Sequence, residues 1–456
     1  MTDLTNLTVK EISHLLNERK LSSVDLTKAY LARIAALDPR LHAWLEVFAD
    51  EALMAAQGAD LAIRSGHAVG PFHGVPFALK DLVHVKGRVT TGGSKAKAGQ
   101  KADVTAEIAR RLLAAGMILL GKTHTVEFAF GAWGTNQHMG TPRNPWDMAT
   151  HRNPGGSSNG SAVAVASRMV PWAIGTDTGG SVRIPAAFCG ITGLKTTVGI
   201  IPTDGVLPLS NVLDSIGPLA RSVEDAAILF DVLRGQGDPD GAADASLRRG
   251  VKGLVLGALD DRSRAPVAPA VLENYDRSLE KLAALGAEIV VLKSLPDLEQ
   301  FSDAASAIMA METYSFNQAL YDDDNAPLDE QVRGRVRRGI KLFGGSFTHA
   351  LREQERLSAM LDEQLDTVDA FLTPTVPVTA IPVGEVDTTT LNPGYFTRPV
   401  NLSGRCGLAV PNGFSAEGLP TSLQIVGAPR DEALILRIGF AYQNATEWHL
   451  RQPKLG

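Results

Sequence analysis

From about residue 131 to residue 217 the chain is rich in Gly, Ser, Thr and Pro, a composition usually read as loop. Here it is interleaved with a strand-like "VPWAIGTD" and a helix-like "SAVAVASRM". A segment that keeps returning to regular structure between Gly-rich turns is a functional centre held by a framework, rather than a linker. The framework shows on both sides. Upstream, "GVPFALKDL" (74–82) is a short apolar strand pattern with Lys80 near its end, and "ADVTAEIARRLLAAG" followed by "MILLGKT" reads as a helix feeding a buried strand. Downstream, "GLVLGAL", "APAVLENYDRSLEKLAALG" and "AEIVVL" form a βαβ-like run, and "AFLTPTVPV", "GLAVPNGF" and "LPTSLQIVG" return to strands and turns. Such alternation predicts an α/β fold, a large mixed β-sheet covered by helices on both faces.

Helices open the chain. Thr8 is placed to cap the first, with Glu11 as its capping-box partner; Ser23 is placed to cap a second that stops near Pro39; a third ends at Gly66. The expected organisation is one domain over 1–456, with N-terminal helices at about 8–66 and a charged helical insertion at about 296–366. A length of 456 residues is long for one domain but within reach of a large α/β enzyme.

Composition narrows the function classes. The chain is 44% apolar and 21% charged, with a net charge of −6 and a pI near 6.0, which gives no electrostatic reason to expect nucleic acid or an acidic membrane as partner. No apolar run is long enough to span a bilayer, and "MTDLTNLTVKEIS" lacks the basic and apolar regions of a secretory signal. Cys189 and Cys406 are too few for a disulfide framework, no CxxC or HxxxH spacing suggests a metal, and a cytoplasmic location is expected.

The chemistry is concentrated in "GTDTGGSVRIPAAFCG" (175–190). Ser181 follows two glycines and precedes an apolar segment, where neighbouring backbone N–H groups are free to face a ligand. A serine hydroxyl needs a base, and no histidine lies within twenty residues. A second Gly-rich turn, "NPGGSSNGSA" with Ser157, lies twenty-four residues before Ser181, a spacing that allows the two turns to sit side by side. Taken alone, "GGSSNGS" is equally a flexible loop or a phosphate cradle, although the GK[ST] ending of a P-loop is missing. Lys80 is a candidate base: an unperturbed lysine is neutral in roughly one molecule in a few thousand near pH 7, but burial away from carboxylates lowers its pKa. Asp81, its neighbour, must then point away. Asp177 and Arg183 flank the nucleophile and read first as an ion pair supporting the turn.

The set "GGSSNGSA", "GTDTGGSVRIPAAFCG" and "GLKTT", with "GVPFALKD" upstream and "LDSIGPLARSVEDAA", "FTRPVNLSG" and "GLPTSLQIVG" downstream, strongly resembles the amidase signature family over nearly the whole chain. The resemblance implies a Ser-Ser-Lys triad: Ser181 as nucleophile, Lys80 as base, and Ser157, after a cis peptide bond at Gly156, as proton relay. It implies an oxyanion hole from the N–H groups of Thr178, Gly179, Gly180 and Ser181, and no metal or organic cofactor. The expected activity is cleavage of the C–N bond of a small amide, ureide, carbamate or hydrazide through an acyl-enzyme. The substrate would be a small molecule, with neither nucleic acid nor membrane as partner, and a homodimer is compatible with the reading.

Departures from the family pattern are few. Asn159 stands where glycine is common, and Lys195 is not followed by the usual proline. Candidate pocket walls are 127–140, 203–211, 305–345 and 394–401, with Phe128, Phe130, Trp133, Tyr314 and Phe396 as apolar lining and Arg183 as a substrate contact. One alternative is the amidase component of a tRNA-dependent amidotransferase, against which Ile184 stands where that component typically carries glutamine. The other is a non-enzymatic binding relative, disfavoured by the intact Lys80, Ser157 and Ser181 set.

Overall fold

The computed structural model describes residues 3–235, 246–387 and 392–455. Its centre is one mixed sheet of eleven strands in the order β1-β3-β2-β4-β6-β5-β10-β11-β9-β7-β8. These strands are β1 (Trp44–Val47), β2 (Pro76–Lys80), β3 (Ile118–Thr123), β4 (Trp172–Asp177), β5 (Thr192–Lys195), β6 (Ser215–Ala220), β7 (Val255–Ala258), β8 (Glu288–Val291), β9 (Ala370–Pro374), β10 (Cys406–Phe414) and β11 (Pro420–Gly427). β2 pairs parallel with both β3 and β4, while β4–β6, β6–β5, β5–β10, β10–β11 and β11–β9 are antiparallel. Every residue of β2, β4, β6, β9 and β11 is buried, as expected for strands covered by helices on both faces. Trp172 stacks on Phe77 across the β4–β2 pair, their ring centroids 5.7 Å apart.

The N-terminal helices form as their caps predict, with one adjustment. Thr8 accepts from the Glu11 N–H and the Glu11 side chain returns to the Thr8 N–H, closing the capping box of Val9–Asn17. In the second helix, Ser23–Leu41, the cap is Ser22 rather than Ser23. The Ser22 hydroxyl accepts from the Asp25 N–H, while the Ser23 hydroxyl is buried and donates to the Gly74 carbonyl. Pro39 lies inside this helix rather than ending it. In the last turn proline removes only one N–H, and the helix stops where His42 adopts φ +56°. Strands β1, β5 and β6 have no counterpart in the sequence expectations: each is short, and the "GLKTT" and "SIGPLA" segments are held by ladder partners distant in sequence. Among the described residues no helix is long and apolar enough to cross a membrane.

The helix Asn159–Ala166, which follows the first Gly-rich turn, lies against the β3 end so closely that Gly160 has no room for a side chain. A Cβ there would sit 2.3 Å from the His124 nitrogen and 2.4 Å from the Ala43 carbonyl oxygen, both backbone atoms that cannot swing aside. Gly160→Ala is therefore expected to lower stability by about 1–3 kcal/mol through overpacking. A urea titration showing an unchanged midpoint would contradict this close approach.

Candidate active site

Lys80 ends β2, between two parallel neighbours, and is fully buried. Its Nζ donates to Ser157 Oγ at 2.8 Å and to Thr176 Oγ1 at 2.8 Å. No carboxylate bonds to it among the described residues, because Asp81 turns to the other side of the strand. There Asp81 Oδ1 accepts from Lys122 Nζ at 2.8 Å, and Oδ2 accepts from the Thr91 N–H at 2.9 Å. Burial lowers the Lys80 pKa to about 7, opposed by the more distant charges of Asp214 and Asp177.

Ser157 is placed by a tightly constrained turn. The Gly156–Ser157 peptide is cis. The Gly156 N–H donates to the Ala132 carbonyl at 2.7 Å, and a Cβ at Gly156 would lie 2.5 Å from the Gly131 oxygen, so only glycine fits the approach. The Ser157 carbonyl accepts from the Val126 N–H and the Thr125 hydroxyl. Asn159, where the sequence departs from the family, donates from Nδ2 to the Gly134 carbonyl at 2.7 Å and so ties the same two loops together.

Ser181 lies between β4 and the helix Arg183–Cys189, 7% exposed. The Ser158 N–H donates to the Ser181 carbonyl at 3.2 Å, joining the two Gly-rich turns, whereas no hydrogen bond joins the Ser157 and Ser181 hydroxyls among the described residues. Catalytic hydrogen bonds are often long before substrate binds. Of the four expected oxyanion donors, Gly180 is already engaged: its N–H donates to Asp177 Oδ1 at 2.8 Å. The N–H groups of Thr178, Gly179 and Ser181 have no acceptor among the described residues and remain available.

Arg183, expected as a substrate contact, is turned into the protein. It is fully buried and its donors are occupied: Nε and Nη2 bond to Asp177 at 2.9 Å each, Nη1 to Gln424 Oε1 at 2.6 Å, and Nη2 also to Asn401 Oδ1 at 2.6 Å. Burial alone would raise the Asp177 pKa, but the guanidinium holds it well below the usual carboxylate range. Lys195 is also buried, donating to the Thr196 and Arg405 carbonyls. Cys189 and Cys406 are free and buried.

A cavity of about 540 Å³ opens beside these turns, and three of the four expected wall segments contribute to it through Phe130, Trp133, Ser306, Arg335 and Arg398. The fourth, 203–211, lines a separate cavity of about 440 Å³ that reaches Thr176 and Asp214. Among the expected aromatics, Phe130 and Trp133 line the larger cavity. The other three do not: Phe128 packs edge-on against Tyr321, Tyr314 donates to Asp322, and Phe396 is buried against Tyr395. Sequence reasoning also misses Thr176 and Asp214. The Asp214 carboxylate accepts from the Thr178 hydroxyl and from the Leu209 and Ser210 N–H groups, and burial raises its pKa to about 6. The only signal for Asp214 is its place in the "LDSIGP" motif, which marks the family without giving the aspartate a role.

The chain belongs to the amidase signature family, whose Amidase profile matches residues 25–436. It is 38% identical to a glutamyl-tRNA(Gln) amidotransferase subunit of Chloroflexus aggregans over 100% of this chain and 99% of that protein. Among solved structures it resembles a chain of an inhibitor-bound vestigial complex tied to the evolutionary origins of an s-triazine catabolic enzyme, with a TM-score of 0.88, 29% identity, and coverage of 96% of this chain and 98% of the other. It also resembles the native peptide amidase of Stenotrophomonas maltophilia, with a TM-score of 0.84, 30% identity and 98% of both chains covered.

Lys122 is 1% exposed and supplies the buried partner of Asp81. Lys122→Met should therefore cost about 3–5 kcal/mol, because it strands a buried carboxylate. Adding Asp81→Asn should recover part of that loss in the same urea titration. Equal losses in the single and double variants would show that the pair is not the cause.

Proposed function

We propose that the protein hydrolyses the C–N bond of an amide through an acyl-enzyme on Ser181. The reading rests chiefly on one observation: a buried lysine, bonded to the hydroxyl of a serine whose turn is fastened to the Ser181 turn. Ser181 Oγ attacks the amide carbonyl, and its proton passes through Ser157 to neutral Lys80. The N–H groups of Thr178, Gly179 and Ser181 receive the developing oxyanion. The relay then returns a proton to the nitrogen as the C–N bond breaks, the amine or ammonia leaves, and water attacks the acyl-enzyme by the same route to release the acid.

The chemistry is common to a free-standing amidase and to the amidase component of an amidotransferase. The full-length identity to glutamyl-tRNA(Gln) amidotransferase proteins favours the second setting over the first. Ile184 is the residue that departs from the usual pattern of that component; it is buried against Gly180 beside the nucleophile. Ammonia release from glutamine that appears only on addition of the partner proteins would establish the assembly. Turnover of small amides by the isolated chain would establish the free-standing enzyme.

Ser181→Ala and Lys80→Ala are each expected to lower amide turnover by about 10⁴-fold or more. Intact-mass measurement with a reactive ester should show an acyl adduct on the natural protein and none on Ser181→Ala. Turnover that survives Ser181→Ala would overturn the nucleophile assignment.

The base must be neutral to accept the proton, so activity rises with pH through the Lys80 pKa of about 7. The Asp214 charge raises that pKa. Asp214→Asn keeps an acceptor for Thr178 but removes the charge, and should move the acid limb of the acylation-rate profile to lower pH. A limb that stays in place or moves upward would exclude Lys80 as the group that titrates.

A further inference from the structure

Asp177 is fixed by Arg183, but the next residue of the same turn, Thr178, is held from a different direction. Its hydroxyl donates to Asp214 Oδ1, and Asp214 Oδ2 accepts from the Leu209 N–H at 3.0 Å and the Ser210 N–H at 3.1 Å. Ser210 closes the 209–214 turn on itself. Its carbonyl accepts from the Asp214 N–H at 3.0 Å, and its hydroxyl oxygen accepts from the Leu213 N–H at 3.1 Å. Ser210, Asn211 and Asp214 all line the cavity of about 440 Å³, so on that side the turn faces open space. Glu312, on the helix Leu298–Phe316, supplies the clamp: the Ser210 hydroxyl donates to its Oε2, and the Asn211 N–H donates to its Oε1 at 3.0 Å.

No cation pairs with Glu312 among the described residues, and the two donors of the turn are its partners. A carboxylate that accepts from a fully buried hydroxyl and a backbone N–H binds them more firmly than a neutral acceptor would. Three residues earlier on the same helix, Met309 places its Cε 3.5 Å from where a Cβ of Gly179 would lie. One helix added around the sheet therefore meets the oxyanion turn directly at Gly179 and reaches Thr178 through Ser210 and Asp214. We propose that Glu312 is a positioning residue for the reaction at Ser181: by clamping the 209–214 turn it keeps Asp214 against the Thr178 hydroxyl, and so keeps the Thr178 N–H aimed at the oxyanion. The inference rests on the acyl-transfer reading of Ser181 and deepens it. Oxyanion stabilisation depends on donors fixed before the charge develops, so slack in the 209–214 turn costs rate rather than substrate affinity.

The test uses p-nitrophenyl acetate, whose attack by Ser181 releases nitrophenolate, and measures the saturating acylation rate separately from the half-saturating ester concentration. Glu312→Ala should lower the saturating rate by about 10- to 100-fold and leave the half-saturating concentration in place, the signature of an interaction lost only in the transition state. Glu312→Gln keeps an acceptor for the Asn211 N–H and a hydrogen-bond partner for Ser210, and should retain most of the rate, which controls for folding. Thr178→Val removes the other end of the connection. Combined with it, Glu312→Ala should add little further loss, because both changes free the same N–H. A rate loss that multiplies with that of Thr178→Val, or an effect confined to the half-saturating concentration, would overturn the positioning role. If the ester leaves no adduct on Ser181 of the natural protein, the acyl-transfer reading fails on its own account. The connection is then decided by urea midpoints of the natural protein, the two single variants and the double variant: non-additive shifts support it, and additive shifts overturn it.

Discussion

The site depends on keeping a carboxylate away from Lys80. A buried ammonium ordinarily survives by ion pairing, and the adjacent residue in sequence is an aspartate. Alternation at the end of β2 sends Asp81 to the opposite side of the sheet, and Lys122 of β3 holds it there with the Thr91 N–H and hydroxyl. Lys80 is left with two hydroxyl acceptors, Ser157 and Thr176, and burial without an ion-pair partner brings its pKa to about 7. Lys122 thus acts through a residue it never shares with the substrate: by occupying Asp81 it leaves the neighbouring lysine free to be neutral.

A second buried ion pair fixes the turn that bears Ser181. Asp177 ends β4 and organises the turn after it, accepting from Gly180 and Val182 N–H groups, while Arg183 clamps it in two places. Arg183 and Asn401 then carry the connection to the far half of the sheet, through Gln424 of β11 and the 397–401 segment. The turn bearing Ser181 is therefore fixed from both halves of the eleven-stranded sheet, and the Gly180 N–H is used for this rather than for an oxyanion.

The parts legible in the sequence are those whose signal is local. The strand carrying Lys80, the helix after Ser157 and the capping box at Thr8 are each written in a few consecutive residues, and the Ser-Ser-Lys set is carried by motifs whose order is itself informative. What is not legible depends on distance. β5 and β6 are short segments defined by partners elsewhere in the ladder, and Pro39 is tolerated because the helix has only two residues left to run. Arg183 reads in the sequence as a flanking charge because Gln424 and Asn401, more than two hundred residues away, fill its fork. The aromatics divide for the same reason: Phe130 and Trp133 are placed by the loop beside Ser157, whereas Phe128, Tyr314 and Phe396 are claimed by packing partners that no spacing rule identifies.

Chemistry and recognition are built from different material. Lys80, Thr176, Ser157 and Ser181 stand on central strands or on turns fastened to them, all buried and closely bonded. The arginines of the cavity come from the 330–341 helix and from the segment after residue 392, elements added around the sheet rather than within it. Thr397 joins the two systems: its hydroxyl donates to the Gly179 carbonyl at 2.8 Å, and its chain neighbour is Arg398. The cavity wall is thereby tied, through one residue and one hydrogen bond, to the turn that presents the Ser181 N–H and hydroxyl. The walls of the cavity can then vary on peripheral helices without disturbing the Lys80, Ser157 and Ser181 set, which stays anchored to the sheet.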